Sequence, residues 1–159
     1  KDVLIYVKEN PWDNGWRTRS IKFYQDLLDM PNVRLVKRET STFLLREHCV
    51  ATATASGTPG FEALFREKPV FLFGHRFYQY ADGVHCIHSD ADMVNAIQAV
   101  FQRNEKPTLL QSRLYLKAMD ETCIDGSLSP VHYSAAGVAH EEQVKSHTNA
   151  ILRDLAQYV

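Results

Sequence analysis

The sequence has no CxxC pair, no marked excess of either charge, and no apolar run near the roughly 18–20 residues that a membrane helix requires. Its three cysteines, Cys49, Cys86 and Cys123, leave one odd in any disulfide framework, so a reducing, cytoplasmic compartment is expected. With 18 basic and 19 acidic side chains the formal charge is −1. That balance gives no general basic face for nucleic acid, and no nucleic-acid partner is expected. No secretory signal is expected either, since the chain opens on Lys1 and runs directly into Val3-Leu4-Ile5-Tyr6-Val7. An opening lysine in place of methionine raises the expectation of a piece of something longer. GxxxxGK[ST], GxGxxG, HExxH and GxSxG are all absent, as are internal repeats and low-complexity stretches.

The 159 residues present, 45% of them apolar, amount to one domain, able to bury about 68–70% of its extended surface. Val3 to Lys8 reads as a buried strand closed by Asn10-Pro11, followed by a loop through Trp12 and Trp16. From Arg17, Ile21, Tyr24 and Leu28 recur at helical spacing, and the helix ends before Pro31. Asn32–Lys37 is a second strand, Thr40–Glu47 a short helix, and Cys49–Thr54 a third strand of small and branched residues. A helix is expected from Pro59, capped by Thr58, and Val70-Phe71-Leu72-Phe73-Gly74 is the strongest buried-strand signal. Val84–His88 is a further short strand. Ser89-Asp90-Ala91-Asp92 caps a helix reaching Phe101, Pro107 opens another, and the last runs from about His140. Strand and helix thus alternate four times before a helical tail. The expected fold is α/β, a Rossmann-like doubly wound parallel sheet, with its core at about 3–105 and the tail at about 107–159.

Ligands of open parallel sheets bind outside the carboxyl ends of the strands, which directs attention to Lys8–Pro11, Ser56–Gly60 and Gly74–Gly83. In Ser56-Gly57-Thr58-Pro59-Gly60, two glycines let backbone amides approach a ligand, and Ser56 and Thr58 add hydroxyls. The segment suits a phosphate; it equally suits an ordinary strand-to-helix turn. Glu62, placed in the first turn of the following helix, is either favoured there by the helix dipole or set to accept ribose hydroxyls. Lys8, Glu9, Asn10 and Pro11 form either a strand-end charge pair and turn or a phosphate- and base-contacting edge. His85, Cys86 and His88 lack a second ligand pair at zinc spacing, so no metal is expected.

Taken together, the three strand-end segments are familiar. Tyr6-Val7-Lys8-Glu9-Asn10-Pro11 resembles the "KEHP" strand end of bacterial capsular polysaccharide biosynthesis proteins. Ser56-Gly57-Thr58-Pro59-Gly60-Phe61-Glu62-Ala63-Leu64, with Lys68-Pro69-Val70 and Phe73-Gly74, resembles their "TGTxGxEALxxGKPVxxFG" run. Asn32-Val33-Arg34-Leu35-Val36 and the pair Phe77-Tyr78 follow the same pattern. The sequence departs from it at Asn10, where histidine is usual, and at Glu67, where glycine precedes the Lys-Pro pair.

This resemblance implies the C-terminal donor-binding lobe of a two-lobed (GT-B) glycosyltransferase, similar to the transferases of CMP-linked 3-deoxy-D-manno-octulosonic acid. Carried over residue by residue, the donor site comprises Lys8, Glu9, Asn10, Pro11, Ser56, Gly57, Thr58, Glu62, Gly74 and Tyr78. The resemblance implies a nucleotide-sugar donor, a glycan or glycolipid acceptor reached through an N-terminal lobe, and no further cofactor. It also implies a cytoplasmic enzyme, peripheral at the inner membrane beside a polysaccharide-export complex. Such a lobe by itself is expected to bind donor without transferring sugar. Two other functions are compatible with the residues: a non-catalytic nucleotide or sugar-phosphate module, and an epimerase-like enzyme using His48, His75 or Glu62.

Overall fold

The structure, a computed structural model, describes residues 3–10, 19–124, 126–127 and 137–157. The chain divides into two compact units, Lys1–Pro107 and Thr108–Val159.

In the first unit the described elements follow the order β1 (Ile5–Val7), α1 (Ile21–Leu28), β2 (Val33–Leu35), α2 (Thr42–His48), β3 (Thr52–Thr54), α3 (Thr58–Leu64), β4 (Val70–Leu72), β5 (Val84–Cys86) and α4 (Asp90–Ile97). Every strand pairing is parallel, so the α/β, Rossmann-like expectation holds. The strands fall into two sheets, β1-β2 and β3-β4-β5. A doubly wound sheet implies one continuous ladder. Here each strand has only three residues; β1 reaches β2 and β3 reaches β4 through a helix, β4 reaches β5 through a loop, and β2 and β3 lie in different sheets.

β4 is buried along its whole length, as its Val70-Phe71-Leu72 run predicts. The pleat sends Phe71 to one face, where it packs with Ile87, Ala96 and Val100, flanked by Ala51 and Met93. Val70 and Leu72 lie on the other face and are fully buried. α3 packs on β3 and β4, with Ala63 and Leu64 buried.

Helix starts follow their capping residues. Ser20, Ser41 and Ser89 each accept a hydrogen bond from the backbone N–H three residues on, at 3.2, 3.4 and 3.2 Å. The apolar periodicity after α4 is interrupted: Gln98–Gln102 form a π-helical turn, closed by Arg103 N–H to Gln98 O at 3.0 Å. The helix expected to open at Pro107 begins two residues later, at Leu109, because Thr108 makes a reciprocal capping box with Gln111.

The second unit contains α5 (Leu109–Thr122) and α6 (His140–Leu155). Gln143 of α6 is buried. Its side chain accepts from Ser127 N–H at 2.9 Å and donates to Val138 O at 2.6 Å. The apolar side chains Val144, Ile151, Leu152 and Leu155 of α6 are all exposed. No helix among the described residues is long and apolar enough to cross a membrane.

Candidate functional site

The loop after β3 is built from inside. Thr54 Oγ1, at the end of the strand, accepts from Gly57 N–H at 3.0 Å. The Tyr78 hydroxyl, from the loop after β4, donates to Gly57 O at 2.5 Å. Gly57 is the N-cap of α3 and Thr58 its first helical residue, so the expected capping by Thr58 gives way to that of the backbone held by Thr54. The Thr58 side chain is left exposed, as is Ser56, and neither hydroxyl bonds to a described residue.

Tyr78 is completely buried, and burial holds its phenol above the usual tyrosine range. Its hydroxyl lies where a Gly60 side chain would stand: a Cβ there would meet Tyr78 Oη at 2.6 Å. Gly60 therefore makes room for the tyrosine that pins the loop. Phe61 stacks on the same ring at 5.7 Å between centroids. Gly74, at the end of β4, has the same function toward the backbone, since a Cβ would lie 2.6 Å from Ala55 O. Gly57, Gly74 and Tyr78 are thus brought together, with Tyr78 beneath the loop.

The structure adds a residue that the sequence did not single out. Arg76 Nε donates to Ser56 O at 2.7 Å, tying the loop after β4 to the loop after β3. That bond uses Nε of an exposed guanidinium whose two Nη groups bond to no described residue, on a loop whose Ser56 and Thr58 side chains are also exposed. The signal in the sequence was only a cation two residues after a glycine. The 20-residue separation of its partner is a property of parallel pairing. On the same edge, His75 and His88, after β4 and β5, stack at 5.5 Å, and His75 Nδ1 contacts Gln79 Oε1 at 3.1 Å.

Lys8, Glu9 and Asn10 follow β1, on the other sheet. Glu9 is surrounded by its own unit: it accepts from the Tyr24 hydroxyl and pairs with Arg19 at 3.2 Å and Arg38 at 3.5 Å. The Tyr24 bond, then the arginines, hold its carboxyl below the usual glutamate range, and the same bond raises Tyr24. Lys8 is half-buried and has no ion-pair partner among the described residues. Pro11 lies outside the described residues, as do Trp12 and Trp16.

Glu62 is the fifth residue of α3, past the first turn in which it was expected, so dipole stabilisation at the helix start does not account for it. Its carboxylate is paired with Arg46 of α2, a buried arginine. His48, at the end of α2, makes no hydrogen bond to this loop among the described residues. Among the described residues no three His, Cys, Asp or Glu side chains gather as metal ligands.

The fold and site therefore define an α/β protein in which Arg76 ties together the loops at the carboxyl ends of two parallel strands. The chain belongs to the family of capsule polysaccharide biosynthesis proteins, whose family model matches residues 1–129. No curated protein and no solved structure matches it.

Proposed function

We propose that the Lys1–Pro107 unit binds the nucleotide-sugar donor of a capsule polysaccharide glycosyltransferase, with a CMP-linked sugar as the donor. The observation that carries this reading is the Arg76 bridge. The exposed guanidinium is anchored by Nε to Ser56 O, which fixes it to the loop that carries the exposed Ser56 and Thr58 and the N-cap Gly57. Arginine forks of this kind match a phosphate better than a point charge does. α3 has only seven residues, so the loop's own donors and Arg76, more than a helix dipole, supply the recognition.

In this reading the bond between the anomeric carbon and the donor phosphate breaks, and negative charge collects on the leaving CMP. Arg76, Ser56 and Thr58 stabilise that charge, an interaction that strengthens in the transition state. Lys8 adds a second cation from the other sheet, and Glu62 accepts ribose hydroxyls. Tyr78 and Gly74 hold the loop without touching the donor. The acceptor and its general base belong to a second lobe of a GT-B enzyme, so this chain binds donor and does not complete transfer.

Titration calorimetry with CMP tests the reading. The expected result is saturable binding that weakens about tenfold or more in Arg76→Ala, the effect of losing hydrogen bonds to a charged group. No heat with the wild-type chain, or unchanged affinity in Arg76→Ala, would contradict it.

A further inference from the structure

We propose that Arg46 is a positioning residue that sets how Glu62 recognises ribose hydroxyls, an inference that rests on the donor-binding reading above. The pair is asymmetric. The Arg46 side chain is 5% exposed and that of Glu62 46% exposed, with Arg46 Nη1 bonded to Glu62 Oε2. Arg46 also lies over the Phe43 ring, 4.7 Å from its centroid. A buried guanidinium cannot swing into water to leave its partner, and stripping it of its anion is strongly unfavourable. It is therefore the fixed member, and the exposed carboxylate is oriented by it.

Two consequences follow for Glu62. One oxygen is held by Arg46, while Oε1 bonds to no described residue and stays available as an acceptor. The charge of the carboxylate is also offset. Glu62 lies about 6 Å along the helix axis from Thr58, at 1.5 Å per residue. An uncompensated carboxylate at that distance would repel a bound phosphate; one neutralised from behind by Arg46 accepts a neutral hydroxyl without that penalty. A 5′-nucleotide places its ribose diol one sugar away from its phosphate, which matches this separation. Arg46 touches no ligand in this arrangement, and nothing in its sequence surroundings marks it.

The test compares CMP with 2′,3′-dideoxy-CMP by calorimetry, with melting curves as a check on folding. The wild-type chain is expected to prefer CMP by about tenfold, the ratio that one hydrogen bond to a charged acceptor supplies. Arg46→Lys, which retains charge but not the planar fork, is expected to lower CMP affinity to near the dideoxy level while dideoxy affinity stays within about twofold. Retention of the preference in Arg46→Lys, or equal weakening of both ligands, overturns the inference. If Arg46→Lys does not fold, Arg46→Gln, which keeps Glu62 and a planar amide donor but not the charge or the fork, takes its place. Preference for CMP surviving there overturns the inference, and its loss supports it. A wild-type chain that binds neither nucleotide overturns the donor-binding reading and this inference together; one that binds CMP with the preference intact in the variants overturns this inference alone.

Discussion

Glu67 shows how one residue departs from its motif and what the backbone makes of it. It has φ 55°, in the left-handed region, at the point where α3 closes: Glu67 N–H bonds Leu64 O at 3.0 Å and Lys68 N–H bonds Ala63 O at 3.1 Å. Glycine adopts this conformation freely, and the resembling motif has glycine there, so the sequence already flagged the position without showing its geometry. Glu67→Gly is expected to raise stability by about 0.5–1 kcal/mol, and Glu67→Val, β-branched, to lower it, as read from urea midpoints. His85 carries a pH dependence. Burial lowers its pKa below the ordinary histidine value, so the unfolded chain binds the proton more readily. Its contribution is therefore intact above about pH 6.5 and is lost as pH falls from there through the lower folded value. Denaturation midpoints measured between pH 5 and 7.5 should fall toward acid, and His85→Gln should flatten that slope; an unchanged slope would contradict the assignment.

At the scale of elements, what the sequence revealed was local and what it hid was long-range. Ser89 caps α4 as its spacing signals, and the β4 run is buried as its composition requires; the caps Ser20 and Ser41 carried no such signal. α3 starts one residue before the expected Pro59 because Gly57 is its N-cap, held by Thr54, outside the Ser56–Gly60 window, and by Tyr78, 21 residues beyond Gly57. Glu62 was ambiguous for a similar reason: its partner Arg46 stands 16 residues earlier on another helix. The strand-end loops depend on close approach, which gives a direct test. Gly74→Ala puts a methyl 2.6 Å from the Ala55 carbonyl oxygen, a backbone atom that cannot turn aside. It is expected to cost about 1–3 kcal/mol in unfolding free energy and to displace the Arg76–Ser56 bond, weakening CMP binding as well. Wild-type stability and affinity in this variant would show that the two loops are not held as described.

Across the whole molecule, the polar groups and the apolar surface are distributed differently. The β3-β4-β5 sheet has a packed core around Phe71, whereas Val3, Leu4, Ile5 and Tyr6 around β1, Ile21 and Leu28 of α1, and the apolar positions of α6 are exposed. Membership of the capsule polysaccharide biosynthesis family spans residues 1–129, and so includes all three strand-end segments that carry the resemblance. In the function proposed above, donor nucleotide binds at the carboxyl ends of these strands in the Lys1–Pro107 unit. The most direct measurement is a titration of the isotopically labelled chain with CMP, followed amide by amide in NMR spectra. The expected result is saturable shifts at Gly57, Thr58, Gly74 and Arg76, with the amides of α5 and α6 unmoved. Shifts confined to Thr108–Val159, or none at saturating CMP, would contradict the account.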